Sequence, residues 1–136
     1  AYTLTMSTVL AAINTIGLDP AFGFLHENYC GRPSLACDLM EPWRADAAER
    51  FVLRVLNRRE LQHEHFTDGG PAEGVLLNAD GRKEFFGKWF PFMHEEARSL
   101  PGFSPEMTFR DGIFAHTRVF AMWLRGEADV WPPIGS

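Results

Sequence analysis

The sequence predicts an all-α fold, a bundle of five to six helices with at most one short extended segment. Apolar residues recur at three- and four-residue spacing in several separate stretches. Gly and Pro stand at the ends of these stretches, where they stop helices. There is no internal repeat and no low-complexity segment. The 136 residues suit a single helical domain, residues 1–136.

The first two helices are predicted from apolar spacing and from the residues that flank them. A helix over about Tyr2–Ile16 has apolar residues at near-helical spacing, and Gly17 is its expected stop. Ser34 is a good cap for a second helix that starts at Leu35. Pro42 is expected to kink or break that helix about two turns later.

A longer helix is predicted over about Trp43–Arg58, followed by irregular chain. Its expected core face comprises Ala47, Phe51 and Val55, with Leu53 and Leu56 beside it. The stretch ELQHEHF is predicted to be a helical turn or loop, and GGPAEG a flexible turn. The stretch VLLN is either a short strand or an extended lead-in to the next helix.

Two further helices are predicted in the second half of the chain. The first covers about Ala79–Ala97, is capped by Asn78 or Asp80, and should bend at Pro91. The second covers about Glu106–Arg125 and should end at Gly126. The side chains expected to be buried on these two helices are Phe85, Phe86, Trp89, Phe90, Met93, Ile113, Phe114, Val119, Phe120 and Trp123.

Composition excludes several classes of protein. The formal charge of −5 argues against a protein whose whole surface binds nucleic acid, so any DNA contact must be local or mediated by metal. No apolar run reaches the roughly 18–20 residues of a membrane span. The start of the chain lacks the features of a signal peptide. Because Cys30 and Cys37 are too few for a disulfide framework, we expect a cytoplasmic protein.

One imidazole and two carboxylates form the strongest candidate site. Asp38 and Glu41 lie three residues apart on the predicted second helix, and His26 lies in the loop before it. Two anions at this spacing repel each other unless a cation lies between them or both face water. A mixed nitrogen and oxygen set suits Mg²⁺ or Mn²⁺ and tolerates Zn²⁺. The alternative is a solvated acidic helix start next to a loop histidine.

Other motifs have ordinary structural explanations that we consider alongside functional ones. Cys30 and Cys37 could join His26 in a zinc site, but the C-x-x-C spacing is missing and Cys37 suits a small core position. The histidines of His63–His65 fit a solvated polar loop better than a metal site. A basic side on the long helix could bind phosphate or could pair with Glu49 and Glu60; it comprises Arg44, Arg50, Arg54, Arg58 and Arg59.

The stretch from Gly17 to Glu41 closely resembles one family. The sequence resembles the C-terminal catalytic domain of the universal CRISPR-associated integrase/endonuclease, the first Cas protein. The similarity extends over nearly the whole chain, through VLRVLNR, LLNADGRKEFFGKW and LRGEADVWPPI. The most specific matching residues are Gly17-Leu18-Asp19-Pro20, Gly23, Leu25-His26, Arg32-Pro33-Ser34-Leu35 and Asp38-Leu39-Met40-Glu41.

The resemblance implies a DNA endonuclease/integrase of CRISPR antiviral defence that inserts spacers by phosphoryl transfer. His26, Asp38 and Glu41 would be catalytic; His26 and Glu41 would bind Mg²⁺ or Mn²⁺, with Asp38 auxiliary. Arg32 is expected to contact a DNA phosphate. The implied partners are DNA (protospacer and repeat array), a second copy in a homodimer, and the small second Cas protein. The resemblance implies no contact with a membrane.

The sequence also departs from the family pattern. The family's first metal-binding glutamate and its N-terminal β-rich domain lie upstream of this sequence, so we expect a C-terminal fragment that is inactive alone. Pro42 follows Glu41 where family members more often continue with an acid. Two other functions stay open at this point: a non-catalytic helical interaction module and a small zinc-stabilised helical domain.

Overall fold

The computed structural model describes residues 1–23, 33–95 and 106–129. Helices dominate these ranges, which confirms the predicted all-α class. The elements in chain order are α1 (Tyr2–Ile16), α2 (Ser34–Trp43), a π-helical segment (Arg44–Glu49), α3 (Arg50–Asn57), a 3₁₀ turn (His63–His65), β1 (Phe66–Asp68), α4 (Gly70–Glu73), β2 (Val75–Leu77), α5 (Ala79–Met93) and α6 (Phe109–Leu124).

Helix α1 has the predicted bounds and the predicted stop. Gly17 adopts a left-handed conformation with φ of 86°, which costs glycine little. The Leu18 amide donates to the Ile13 carbonyl over 3.1 Å, and the Gly17 amide donates to the Asn14 carbonyl over 3.3 Å. This pair of bonds is a Schellman motif, and it satisfies carbonyls that the end of a helix leaves open. Helix α1 packs against α2 and α6.

The chain from α2 to α3 stays helical through Pro42, where we predicted a kink or break. Proline cannot donate a backbone hydrogen bond, so the α-helical ladder already lacks one bond there. The π segment begins two residues later, at Arg44. Helix α2 itself starts at Ser34 with Pro33 in the cap position, one residue before the predicted start.

The core residues along this helix explain why a π segment forms. Buried apolar side chains recur every four residues, at Leu35, Leu39, Trp43, Ala47, Phe51 and Val55. In a regular α-helix each step of four over-rotates by about 40°, so five steps would turn the last residue away from the core. A π turn holds more residues than an α turn because its hydrogen bonds span five residues. Steps of four across the π segment therefore rotate back and keep Phe51 and Val55 buried.

A small hairpin interrupts the helices. Strands β1 and β2 pair antiparallel, with Phe66 opposite Leu77 and Asp68 opposite Val75. The predicted extended segment VLLN thus contains a strand, and its partner β1 follows the 3₁₀ turn of ELQHEHF. The GGPAEG stretch folds into the single turn of α4 instead of a flexible turn.

The last two long helices begin at capped residues. Asn78 Oδ1 accepts a 2.9 Å bond from the Gly81 amide, and Thr108 Oγ1 accepts a 3.1 Å bond from the Asp111 amide. Both helices are shorter than predicted; α5 ends at Met93 and α6 begins at Phe109.

Some apolar side chains predicted to be buried are exposed. Leu53 is 60% exposed because it lies about 200° around the helix from Phe51. Leu56 also faces outward. On α5, Phe86 and Phe90 are also exposed, whereas Trp89 between them in sequence is buried. Trp123, near the end of α6, is also partly exposed.

Candidate functional site

Helix α2 places the two candidate acids in different environments. Leu35, Leu39 and Trp43 are buried and fix the inward side of the helix. Asp38 lies among them with only 1% of its surface exposed. The side chain of Glu41 is 43% exposed. The two carboxylates therefore do not share one solvent-facing surface, although they are three residues apart.

Glu41 has a cationic partner that the spacing argument left out. The Arg44 Nη1 atom lies 3.1 Å from Glu41 Oε1 and 3.1 Å from Oε2. The guanidinium carbon also lies 4.9 Å from the centre of the Tyr2 ring, which is cation–π contact. The pKa of Arg44 is raised most by its hydrogen bond to Tyr2 and next by its hydrogen bond to Glu41. The cation that relieves the charge of Glu41 in this structure is a side chain.

Tyr2 connects this pair to the π segment. Its hydroxyl donates a 2.8 Å hydrogen bond to Glu49 Oε1. Tyr2 and Glu49 also line an open cavity of about 390 Å³ together with Ala48, Val52 and Leu53. The start of α1 thus holds the surface on which Glu41 and Arg44 lie.

A buried contact with α6 holds the other side of α2. The Trp43 Nε1 atom donates to His116 Nδ1 over 3.4 Å, and both side chains are fully buried. Burial lowers the pKa of His116 from 6.5 to about 4, so the ring is neutral at pH 7. Gly112 faces the Trp43 ring so closely that an added Cβ would lie 2.7 Å from Cη2. These contacts fix the helix two residues after Glu41.

The remaining candidate residues are only partly within the described ranges. His26, Arg32 and Cys30 lie outside them. Cys37 is a half-buried free thiol. Within the part of the chain that the structure describes, no group of three or more His, Cys, Asp or Glu side chains could hold a metal ion. Asp38 and Glu41 therefore supply at most part of the predicted site, and the position of His26 stays a prediction.

The histidines of the 3₁₀ turn have a structural role. His65 Nδ1 accepts a 2.9 Å hydrogen bond from the Gln62 amide, which closes a capping box. His63 is exposed. This arrangement agrees with the interpretation of HEH as a polar turn.

Most of the basic side predicted for the long helix forms ion pairs, but with other partners than expected. Arg50 Nη2 lies 3.1 Å from Asp46 Oδ1, and Arg54 Nη1 lies 2.6 Å from Glu95 Oε2. Glu60 pairs with Lys88 over 3.6 Å. Charge on this side is therefore largely balanced by neighbouring carboxylates.

Sequence reasoning missed Arg44 as a partner of Glu41 and missed His116 altogether. Arg44 follows Glu41 by three residues, a spacing typical of helical ion pairs, so the signal was present. His116 is 73 residues from Trp43, and no local pattern links them.

Within the described ranges, every helix is too short or too polar to span a membrane.

Comparisons with known proteins agree on one family. The family model described as CRISPR associated protein Cas1 matches residues 1–90. The CRISPR-associated endonuclease Cas1 of Rhodospirillum rubrum is 37% identical over 134 residues, which cover 97% of this chain and 38% of that protein.

Two solved structures have the same fold. A casposase bound to integration product has a TM-score of 0.82 at 27% identity, covering 95% of this chain and 34% of that one. A Cas1 protein from Thermotoga maritima has a TM-score of 0.78 at 27% identity, covering 93% of this chain and 38% of that one. The chain thus spans less than two fifths of each of these three proteins. The matching family model and the relative from Rhodospirillum rubrum together show that this chain belongs to the Cas1 family.

Proposed function

We propose that this chain is the C-terminal catalytic domain of a metal-dependent DNA endonuclease/integrase of CRISPR adaptation. The observation that supports it most is the 37% identity to a CRISPR-associated endonuclease over 97% of the chain. The likeness to a casposase bound to integration product supports a reaction that joins DNA ends. The substrates would be a protospacer and the repeat array.

The full-length protein would contain more than this domain. We propose that residues 1–136 form one helical domain and that an N-terminal β-rich domain precedes it. A second copy in a homodimer and the small second Cas protein would complete the assembly. Because the repeat array would lie in the DNA of the cell, the protein would act in the cytoplasm.

Glu41 and His26 would hold the cation, with Asp38 auxiliary. Glu41 fits this role because both of its oxygens already face one cationic nitrogen at equal distance. Asp38 is buried on the same helix, where it can orient neighbouring groups more easily than reach solvent. Oxygen ligands of this kind suit Mg²⁺ or Mn²⁺. Arg32 would contact a DNA phosphate.

The chain's own contribution to the reaction is rigid placement. When bound, a divalent cation would neutralise phosphate oxygens and orient the attacking and leaving oxygens. Trp43, His116 and Gly112 hold the helix that presents Glu41, and Tyr2 holds the adjacent surface. Fixed ligands of this kind reduce the reorganisation that the transition state requires.

Alanine variants of the full-length protein test the proposal. We expect His26→Ala and Glu41→Ala to abolish metal-dependent spacer integration while the unfolding temperature changes little. Glu84→Ala, which removes an exposed carboxylate on α5, is the matched control and should retain activity. If both site variants integrate spacers at the control rate, the assignment of His26 and Glu41 is wrong. If the unaltered full-length protein itself integrates no spacers, a non-catalytic interaction module becomes the better explanation.

A further inference from the structure

Four side chains are linked in a chain of contacts that we call the Arg44 cluster: Glu41, Arg44, Tyr2 and Glu49. A single nitrogen of Arg44 bridges both oxygens of Glu41, at 3.1 Å from each. An arginine often meets a carboxylate with two nitrogens, one for each oxygen. Here one nitrogen instead lies on the chelating edge of the carboxylate, where a bidentate cation would bind.

Arg44 and a cation that is bound by both oxygens of Glu41 cannot occupy this edge together. Hard divalent cations bind carboxylate oxygens at about 2.0–2.6 Å, on the same side as the Arg44 nitrogen. The ion and the nitrogen would then lie well within contact distance of each other, and both are positively charged. Entry of the cation therefore requires the guanidinium to move.

The cluster also contains a second place for the guanidinium. Glu49 follows Arg44 by five residues, and a π turn brings residues at that spacing onto one side, as an α turn does for residues four apart. The Tyr2 ring already contacts the guanidinium, and the Tyr2 hydroxyl holds the Glu49 carboxylate. The guanidinium can thus exchange one carboxylate for another while it stays on the ring.

We propose that Arg44 is a placeholder for the cation at Glu41. It occupies the chelating edge while no cation is bound and leaves that edge when a divalent cation coordinates Glu41. Arg44 is in this sense a positioning residue: it holds the glutamate side chain in a binding-ready orientation and lowers its apparent affinity for metal. This inference relies on the proposed role of Glu41 as a metal ligand.

A double-mutant cycle on Mn²⁺ binding tests the proposal in the full-length protein. Mn²⁺ affinity is measured from the electron paramagnetic resonance signal of the free ion, without DNA, so catalysis is not needed. Exposed ion pairs are worth about 0.2–1 kcal/mol, which corresponds to a change of about 1.4- to 5-fold in a dissociation constant. We expect Arg44→Gln to tighten Mn²⁺ binding within this range.

Two comparisons separate the local effect from general charge. In the Glu41→Gln background, Arg44→Gln should not change Mn²⁺ affinity, because the carboxylate for which Arg44 and the cation compete is absent. Arg50→Gln removes a cation of similar exposure, paired with Asp46, and should leave Mn²⁺ affinity nearly unchanged. Equal tightening by Arg44→Gln in both backgrounds, or by Arg50→Gln, would overturn the proposal.

The cycle also distinguishes this inference from the proposed function. If Glu41→Gln weakens Mn²⁺ binding but Arg44→Gln does not strengthen it, only the placeholder role fails. If Glu41→Gln leaves Mn²⁺ affinity unchanged, Glu41 is not a ligand and both proposals are wrong.

Discussion

The contact between Gly112 and Trp43 predicts opposite outcomes for the same substitution at two helical glycines. An added Cβ at Gly112 would lie 2.7 Å from Trp43 Cη2 and 3.4 Å from Cζ3. Carbon atoms pack best at about 3.5–4.0 Å, so one contact is short by roughly 1 Å. Trp43 is fully buried, which leaves its ring no open space to move into. Overpacking of this kind typically costs about 1–3 kcal/mol.

Gly87 is the matched control for this contact. It lies exposed within α5, and an added Cβ there meets nothing within 4 Å. Alanine in place of glycine stabilises an exposed helix interior by about 1 kcal/mol. Both substitutions gain this helix-propensity term, so the difference between them isolates the cost of the contact with Trp43.

Thermal and urea unfolding of the 136-residue chain measure that difference. We expect Gly112→Ala to be less stable than Gly87→Ala by about 1–3 kcal/mol, a separation of roughly 4–12 °C in unfolding temperature for a domain of this size. In a Trp43→Phe background, which shortens the ring, Gly112→Ala should lose most of its cost. Equal stabilisation by the two alanine substitutions would refute the argument that α6 packs on α2 through this contact.

Two other predictions concern stability. The pKa of His116 is lowered to about 4 in the folded chain, so the unfolded chain binds more protons as pH falls from about 6.5 towards 4, and stability declines over that window. Urea titrations should show that the free energy of unfolding falls by about 2 kcal/mol between pH 7 and pH 5. The His116→Gln variant should lose less stability over this interval. If the stability of the unaltered chain does not change between these pH values, His116 is not buried as a neutral ring. For α3, Phe51→Ala should lower the free energy of unfolding by about 3–5 kcal/mol in chemical denaturation, because Phe51 is buried against three aromatic rings. Leu53→Lys, at an exposed position, should change it by no more than about 0.5 kcal/mol. Similar costs for both variants would mean that the described buried face of α3 is wrong.

The helices could be predicted from sequence because their signals are local. Apolar spacing and Gly17 predict the bounds of α1, and Asn78 is one of two caps proposed for α5. The π segment could not be predicted, because apolar residues at every fourth position fit an α-helix approximately over a few turns. The mismatch appears only when the spacing is followed over many turns. The pairing of β1 with β2 depends on chain that folds back, which periodicity does not describe.

The candidate site was predictable in residue type but only partly in geometry. The motif identifies Asp38 and Glu41, and the structure shows how differently the two are surrounded. Their separation by burial depends on the packing of α2 against α1 and on the contact of Trp43 with α6, which lies far away in sequence. The pairing of Glu41 with Arg44 was locally readable, whereas the support from His116 was not.

The π segment also has a consequence for how this domain can change in evolution. A helix with one widened turn tolerates the loss of a single residue there, because the deletion restores ordinary α-helical winding. Between Arg44 and Glu49 such a deletion would shorten the helix slightly and would preserve the acids before it and the aromatic residues after it. It would also remove the five-residue spacing of Arg44 and Glu49. Relatives that are one residue shorter at this point would then differ in which carboxylates lie within reach of the residue that corresponds to Arg44.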